Sequence, residues 1–379
     1  MKKFLFRLYL NLMKLVARFT RINNKSVVIL NGAGRSGSNG YIFAKYLQKK
    51  HPEYKVTVVE PWPSSHLPLS IWRKIGQAKF IVTTHQPFKI HSRQINVQFW
   101  HGVPLKRMGI MANNTDRKAD LRNVKLWQKN VDIVCSSSDL YETMMSACCA
   151  IDTSKYQKVG FPRTDALKNP VITKKQLLYD LFKQIDDQAQ IGIYMPTFRY
   201  ELEDSQIINQ IKAGNFFALP DFDIESLNQN LKRQHQYLLV KLHPYEQKLV
   251  GNFTSQYSQI AFLNDDYLFE HECDLYELLG STSFLITDFS SIYFDYLAFD
   301  RPIIFITNFL AQYQKKRGLL IGPYTKVVPG PCVKSQKELV AALSAPNNYQ
   351  TKRHYWYNLT NQVQGVSACD AIFKMMTKD

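Results

Sequence analysis

The sequence predicts an α/β protein of two doubly wound, mainly parallel sheets facing a cleft, preceded by a basic amphipathic helix. Three observations carry this expectation. Short apolar runs alternate with helical stretches along most of the chain, as strands buried on both faces do. The alternation comes in two series, with a pause at TDALKNP, residues 164–170. A length of 379 residues is enough for two domains of ordinary size. The expected division is 1–25 for the helix, 26–165 for an N-terminal Rossmann-like domain and 166–379 for a C-terminal one.

The first 25 residues contain no acid. Lys3, Arg7, Asn11, Lys14 and Arg18 recur at steps of three and four and fall on one helix face. Phe4, Leu5, Leu8, Leu12, Leu15, Val16 and Phe19 cover the other side. Arg7 and Lys14 interrupt any apolar run long enough to span a bilayer, and no small-residue cleavage site follows. The segment fits a helix lying on an anionic membrane surface, or a helix packed on its own protein.

The first strand series comprises KSVVIL (25–30), KVTVVE (55–60), KFIVT (79–83), INVQF (95–99) and VDIVCS (131–136). The second comprises QIGIY (190–194), YLLVKL (237–242), FLIT (284–287) and PIIFI (302–306). In such sheets ligands bind beyond the carboxyl ends of the strands, so strand-end residues are the candidates for chemistry. A formal net charge of +17 implies an anionic partner. No aromatic-plus-basic RNA motif accompanies it, so nucleic acid is not expected. Six cysteines, none in a C-x-x-C pair, read as free thiols, and no metal-ligand spacing is present.

Asn31–Gly37 reads NGAGRSG between a strand and a helix, with Glu60 ending the next strand. The pattern admits a dinucleotide fingerprint and so an NAD-dependent oxidoreductase. Gly34 and Arg35 equally fit a loop that holds any phosphate, or a plain glycine turn. QFWHGVPLKRMG (98–109) places His101 at a strand end, with Gly102 allowing close approach and Lys106 following. VKLHPYE (240–246) places Lys241 on a strand and His243 at its end, where Pro244 keeps the chain extended. FLITDFSSIYFD (284–295) stops a strand at Asp288 and opens a helix at Ser290 and Ser291. That start fits a phosphate cradle or an ordinary cap. Asp295, one turn on, fits a polyol-hydroxyl acceptor or a solvated acid. MPTFR (195–199) and GFPRTD (160–165) set Arg199 and Arg163 beside proline-stiffened turns, suited to phosphate or to surface ion pairs.

Taken in this order and spacing, the motifs resemble the CDP-glycerol glycerophosphotransferase family of teichoic acid biosynthesis, over roughly residues 78–306. The resemblance implies a GT-B-like pair of Rossmann-type domains and no cofactor. It implies transfer of glycerol phosphate or ribitol phosphate from a CDP-activated donor to a lipid-linked saccharide or polymer, peripherally at the cytoplasmic face of the membrane. It makes His101 the catalytic base and sets His243 at the donor phosphates. Ser290 and Ser291 hold phosphate. Arg163, Thr197, Arg199, Lys241, Asp288 and Asp295 are expected donor-side, and Gly34, Arg35, Gly102 and Lys106 acceptor-side. Phe198 stands where the family often has tryptophan, and Arg317–Gly318 lacks the acids that often follow it. A GT-B glycosyltransferase using a nucleotide sugar is the nearest alternative, and homo-oligomerisation stays open.

Overall fold

The computed structural model describes residues 2–60, 62, 67–113, 116–250, 257–345 and 348–378. Their strands form two six-stranded sheets, every pairing parallel. The chain divides into two units. One contains residues 1–102, 116–166 and 361–379, and the other 103–115 and 167–360.

In the first unit β1 (Asn23–Leu30), β2 (Lys55–Val59), β3 (Ala78–Thr83), β4 (Ile95–Gln98), β5 (Ile133–Ser136) and β6 (Tyr156–Lys158) lie in the order β2-β1-β3-β4-β5-β6. The order reverses between β1 and β3, where Leu30 pairs with Thr83, and Thr83 pairs in turn with Gln98. Asn31, Thr84 and Phe99 therefore follow three neighbouring strands at one edge of the sheet, the place where open α/β sheets bind ligands. Val27, Val28, Ile29 and Leu30 are fully buried, as a strand covered on both faces requires.

In the second unit β7 (Gln190–Met195), β8 (Gln236–Val240), β9 (Ile260–Phe262), β10 (Phe284–Thr287), β11 (Ile303–Ile306) and β12 (Cys332–Val333) lie in the order β12-β11-β10-β7-β8-β9. The reversal falls between β10 and β7, where Thr287 pairs with Met195. MPTFR and TDFSS thus leave adjacent strand ends.

The amino-terminal helix, α1 (Lys2–Arg18), packs on its own unit through a third face. Ala17 is buried, and Leu10 and Met13 sit against Trp72, Ile75 and the sheet. Gly76 lets the helices approach, since a Cβ there would collide with the Ala17 carbonyl. Arg18 Nε donates to the Ile90 carbonyl at 3.4 Å. Leu8, Leu12, Leu15 and Phe19, at 51–83% exposure, remain in solvent. The side chains of Lys3, Phe4, Leu5 and Arg7 lie outside the described residues.

Two segments depart from the expected division at 165/166. Residues 103–115 group with the second unit, where Arg107 N–H donates to the Gly318 carbonyl at 3.1 Å and Leu320 N–H to Leu105 at 2.8 Å. The last residues return to the first unit. Asp165 accepts from Ser367 Oγ (2.9 Å) and from the backbone N–H groups of Ala368 (3.0 Å) and Cys369 (2.9 Å), capping the helix Ala368–Thr377. Phe373 of that helix stacks on His51 with ring centroids 3.4 Å apart. Asp165→Ala removes the acceptor of all three bonds and should cost about 1–2 kcal/mol, typical of a lost cap. Urea unfolding of parent and variant measures this.

Candidate functional site

His101 owes its position to a backbone held in unusual conformations. Trp100 adopts φ +54°, and Gly102 adopts φ +93°, a region open to glycine. Strain of this kind persists where surrounding contacts over-determine it. Gln98 supplies two of them: its Oε1 accepts from Trp100 N–H at 2.8 Å, and its Nε2 donates to the His85 carbonyl at 2.7 Å. Asn39 Nδ2 donates to the Trp100 carbonyl at 3.0 Å. The Trp100 ring stacks on His101 at 4.1 Å and meets Trp127 edge-on at 5.3 Å. Arg163 is 4% exposed, and its guanidinium fills the place that a Cβ on residue 102 would need. Arg163 therefore buttresses the His101 turn in the first unit, where a donor-phosphate role had been expected of it.

His101 Nδ1 lies 3.1 Å from the Thr84 carbonyl. A carbonyl only accepts, so Nδ1 carries the proton and the neutral ring keeps its lone pair at Nε2. That is the tautomer a general base needs.

The NGAGRSG loop serves this same strand edge. A Cβ on Gly32 would come within 2.6 Å of His85 Nδ1, so this glycine makes room for an imidazole. Gly34 turns at φ +58°, and its carbonyl accepts from Asn31 Nδ2 at 3.1 Å. Arg35 pairs with Glu60 at 2.8 Å and covers the Tyr41 ring at 3.4 Å. Asn31 Nδ2 also donates to Glu60 at 2.8 Å. Both oxygens of Glu60 are engaged from within the unit, and Ser38 caps its own helix by accepting from Tyr41 N–H. The nucleotide reading of these glycines loses its ribose acid.

In the second unit Asp288 is fully buried and accepts from Thr197 N–H (2.7 Å) and Thr197 Oγ1 (2.9 Å), joining the ends of β7 and β10. Burial pushes its carboxyl up to about 6, against the opposing pull of Arg199. Ser290 and Ser291 follow, half-buried, ahead of the short helix Ile292–Tyr296. His243 leaves β8 exposed, and its ring stacks on Phe198 at 4.1 Å. The aromatic at 198 is thus a shelf for His243. Tyr245 N–H donates to His243 Nδ1 at 3.3 Å, so the neutral ring carries its proton at Nε2 and can donate. Partial burial lowers the His243 pKa, favouring that neutral form.

Three expected donor-side ligands, Arg199, Lys241 and Asp295, are spent on the scaffold. Arg199 is fully buried. Its Nη2 pairs with Glu246 Oε2 at 3.0 Å, and Nη1 donates to Tyr194 Oη (3.1 Å) and to the Phe216 carbonyl. Glu246 Oε1 accepts in turn from Arg199 N–H (2.6 Å) and Tyr200 N–H (3.2 Å). Lys241 pairs with Asp265 at 2.7 Å, its side chain 4% exposed. Asp295, buried, accepts from Tyr276 Oη at 2.8 Å. Lys106, expected acceptor-side, groups with the second unit, where its backbone forms an antiparallel bridge with Leu319; desolvation lowers its pKa. His85, Thr84, Gln98 and Glu246 were not predicted. Each is recognisable only through a partner that is distant in sequence or brought close by a turn.

Residues 12–378 match the family CDP-Glycerol:Poly(glycerophosphate) glycerophosphotransferase. The teichoic acid glycerol-phosphate primase of Bacillus subtilis is 29% identical over 258 residues, 67% of this chain and 60% of the primase. The teichoic acid glycerol-phosphate transferase of Staphylococcus aureus is 26% identical, over 78% of this chain and 76% of its own. The teichoic acid poly(glycerol phosphate) polymerase of Bacillus subtilis is 25% identical over 90% of this chain but only 46% of its own length. A structure of the wall teichoic acid polymerase TagF superposes with TM-score 0.77 at 20% identity, covering 99% of this chain and 96% of that one. The two-sheet architecture is accordingly the GT-B-like fold.

Glu246→Ala leaves the Arg199 guanidinium buried and uncompensated and should cost about 3–5 kcal/mol by denaturant unfolding. Replacing both partners by leucine and methionine should recover most of that loss. Asp288 makes stability pH-dependent. The folded chain binds its proton more tightly than the unfolded chain, so its contribution is complete below about pH 4 and falls as pH rises to about 6. Asp288→Asn should therefore gain on the parent by about 3 kcal/mol across that window and hold the gain above it.

Proposed function

We propose that this chain, which belongs to the CDP-glycerol:poly(glycerophosphate) glycerophosphotransferase family, transfers a polyol phosphate from a CDP-activated donor to the hydroxyl of a lipid-linked saccharide or polymer. The donor is CDP-glycerol or CDP-ribitol. The substrate hydroxyl attacks the phosphorus that bears the polyol and forms the new phosphodiester. The pyrophosphate bond breaks, and CMP leaves with the bridging oxygen. His101 Nε2 takes the hydroxyl proton, while His243 donates from Nε2–H to donor phosphate oxygens, with Ser290 and Ser291 alongside.

The observation that supports this reading is the pair of opposite tautomers. His101 is held as a base by the Thr84 carbonyl, and His243 as a donor by Tyr245 N–H. Deprotonation of the attacking alcohol contributes about 10²–10⁴-fold in such reactions. The rest depends on alignment and on stabilising charge at phosphate.

We place the protein peripherally on an anionic membrane at its cytoplasmic face. Among the described residues no helix is long and apolar enough to cross a bilayer. Leu8, Leu12 and Leu15 of α1 and Phe19 just after it are exposed, as are Leu121 and Leu126 of the helix Arg117–Asn130. A pocket of 690 Å³ between these helices is lined by Lys14, Arg18, Lys89 and Lys129 with Leu15, Phe88 and Leu126. Apolar side chains beside a cationic pocket suit the boundary between acyl chains and anionic headgroups.

CMP release from each CDP-polyol, with and without lipid-linked substrate, tests the reaction. His101→Ala should lower turnover by about 10²–10⁴-fold and leave the calorimetric Kd for CDP-glycerol unchanged. His243→Ala should weaken donor binding. Near-normal turnover of the His101 variant would remove it from the base role. In sedimentation with vesicles, Leu12→Glu with Leu15→Glu should abolish binding to phosphatidylglycerol-containing bilayers. Undiminished binding would remove α1 from the membrane contact.

A further inference from the structure

His85 lies beside the proposed base and has no part in the reaction as written above. It follows β3 at the point where the strand order of the first sheet reverses, and its ring centroid is 4.9 Å from that of His101. It is half-buried, and burial lowers its pKa, so the ring is neutral near neutral pH. Its backbone is pinned through the carbonyl that accepts from Gln98 Nε2 at 2.7 Å. The same Gln98 side chain holds Trp100, so one strand-end residue sets the turns of both histidines.

Thr84 fixes the protons. Its hydroxyl oxygen accepts from Gly32 N–H at 3.1 Å and lies 3.1 Å from His85 Nδ1. A hydroxyl has one proton to give. The Thr84 oxygen could accept from both neighbours, but Thr84 is buried and its own proton would then have no acceptor among the described residues, so His85 Nδ1 takes the Thr84 hydroxyl proton. His85 therefore carries its own proton at Nε2. The carbonyl of the same threonine takes the Nδ1 proton of His101. One residue thus sets two adjacent imidazoles in opposite states: a lone pair at Nε2 of His101, a proton at Nε2 of His85.

We propose that His85 is a second substrate-binding residue of this site, donating from Nε2–H to a hydroxyl or phosphate oxygen that adjoins the hydroxyl His101 deprotonates. The proposal rests on the transferase reading above. A neutral donor suits this place, because a second positive charge would oppose the charge that His101 gains as it takes the proton. Gly32 leaves room for the His85 ring, since a Cβ there would collide with it and with the Trp62 carbonyl.

The test is steady-state CMP release with His85→Ala and His85→Gln. Glutamine keeps an N–H near the position of Nε2. His85→Ala should raise KM for the alcohol substrate about tenfold, the worth of one hydrogen bond, and leave KM for CDP-glycerol unchanged. His85→Gln should restore most of the loss. Unchanged kinetics in His85→Ala, or equal damage in both variants, would overturn the role. Nitrogen-15 NMR of the intact protein reads the tautomer without any assay: a proton at Nε2 supports the proposal, and one at Nδ1 overturns it. A wild-type protein silent toward every CDP-polyol would overturn the transferase reading and this role with it. An active wild type with an indifferent His85→Ala overturns this role alone.

Discussion

The hydrogen bond from His101 Nδ1 to the Thr84 carbonyl, 3.1 Å long, is the contact on which the proposed chemistry depends. It exists because β3 and β4 run parallel in a register that pairs Thr83 with Gln98. That register brings the residue after one strand beside the turn after the next. The turn itself is shaped by Trp100 at φ +54° and by Gly102, whose missing Cβ leaves room for Arg163. Sheet geometry, backbone conformation and proton position form one chain of causes.

The second unit reaches a comparable end by a different route. Its strand ends are tied by buried polar groups: Asp288 on Thr197, and Glu246 on Arg199 and the following peptide groups. The Glu246 contacts hold MPTFR against KLHPYE and so bring the Phe198 ring under His243. Buried ion pairs contribute little net stability but cost much when halved. Arg199 and Glu246 are best understood as a positional constraint on the histidine that stands beside them.

Most of the architecture was legible in the sequence, because strands buried on both faces are written as continuous apolar runs. KSVVIL, KFIVT, INVQF and FLIT all mark observed strands. The two-residue β12 and three-residue β9 fall below what periodicity can register. The return of residues 361–379 to the first unit rests on partners far away in sequence, Asp165 and His51 among them. The site was legible as motifs and less so as roles. Arg199 beside a proline looks like a phosphate ligand until Glu246, 47 residues on, accounts for it. His85 carries no local motif; its interest arises from Thr84, Gly32 and Gln98 closing around it. The α1 helix meets the reading in which it packs on its own protein, one face lying on Trp72, while the apolar side chains it leaves in solvent are what the membrane proposal rests on.

Chemical rescue tests the central claim most directly. His101→Ala, supplied with imidazoles of graded basicity, should regain CMP release at a rate that rises with the basicity of the added ring, because the missing function is uptake of a proton. Absence of rescue, or a rescued rate indifferent to basicity, would contradict the assignment of His101 as the base.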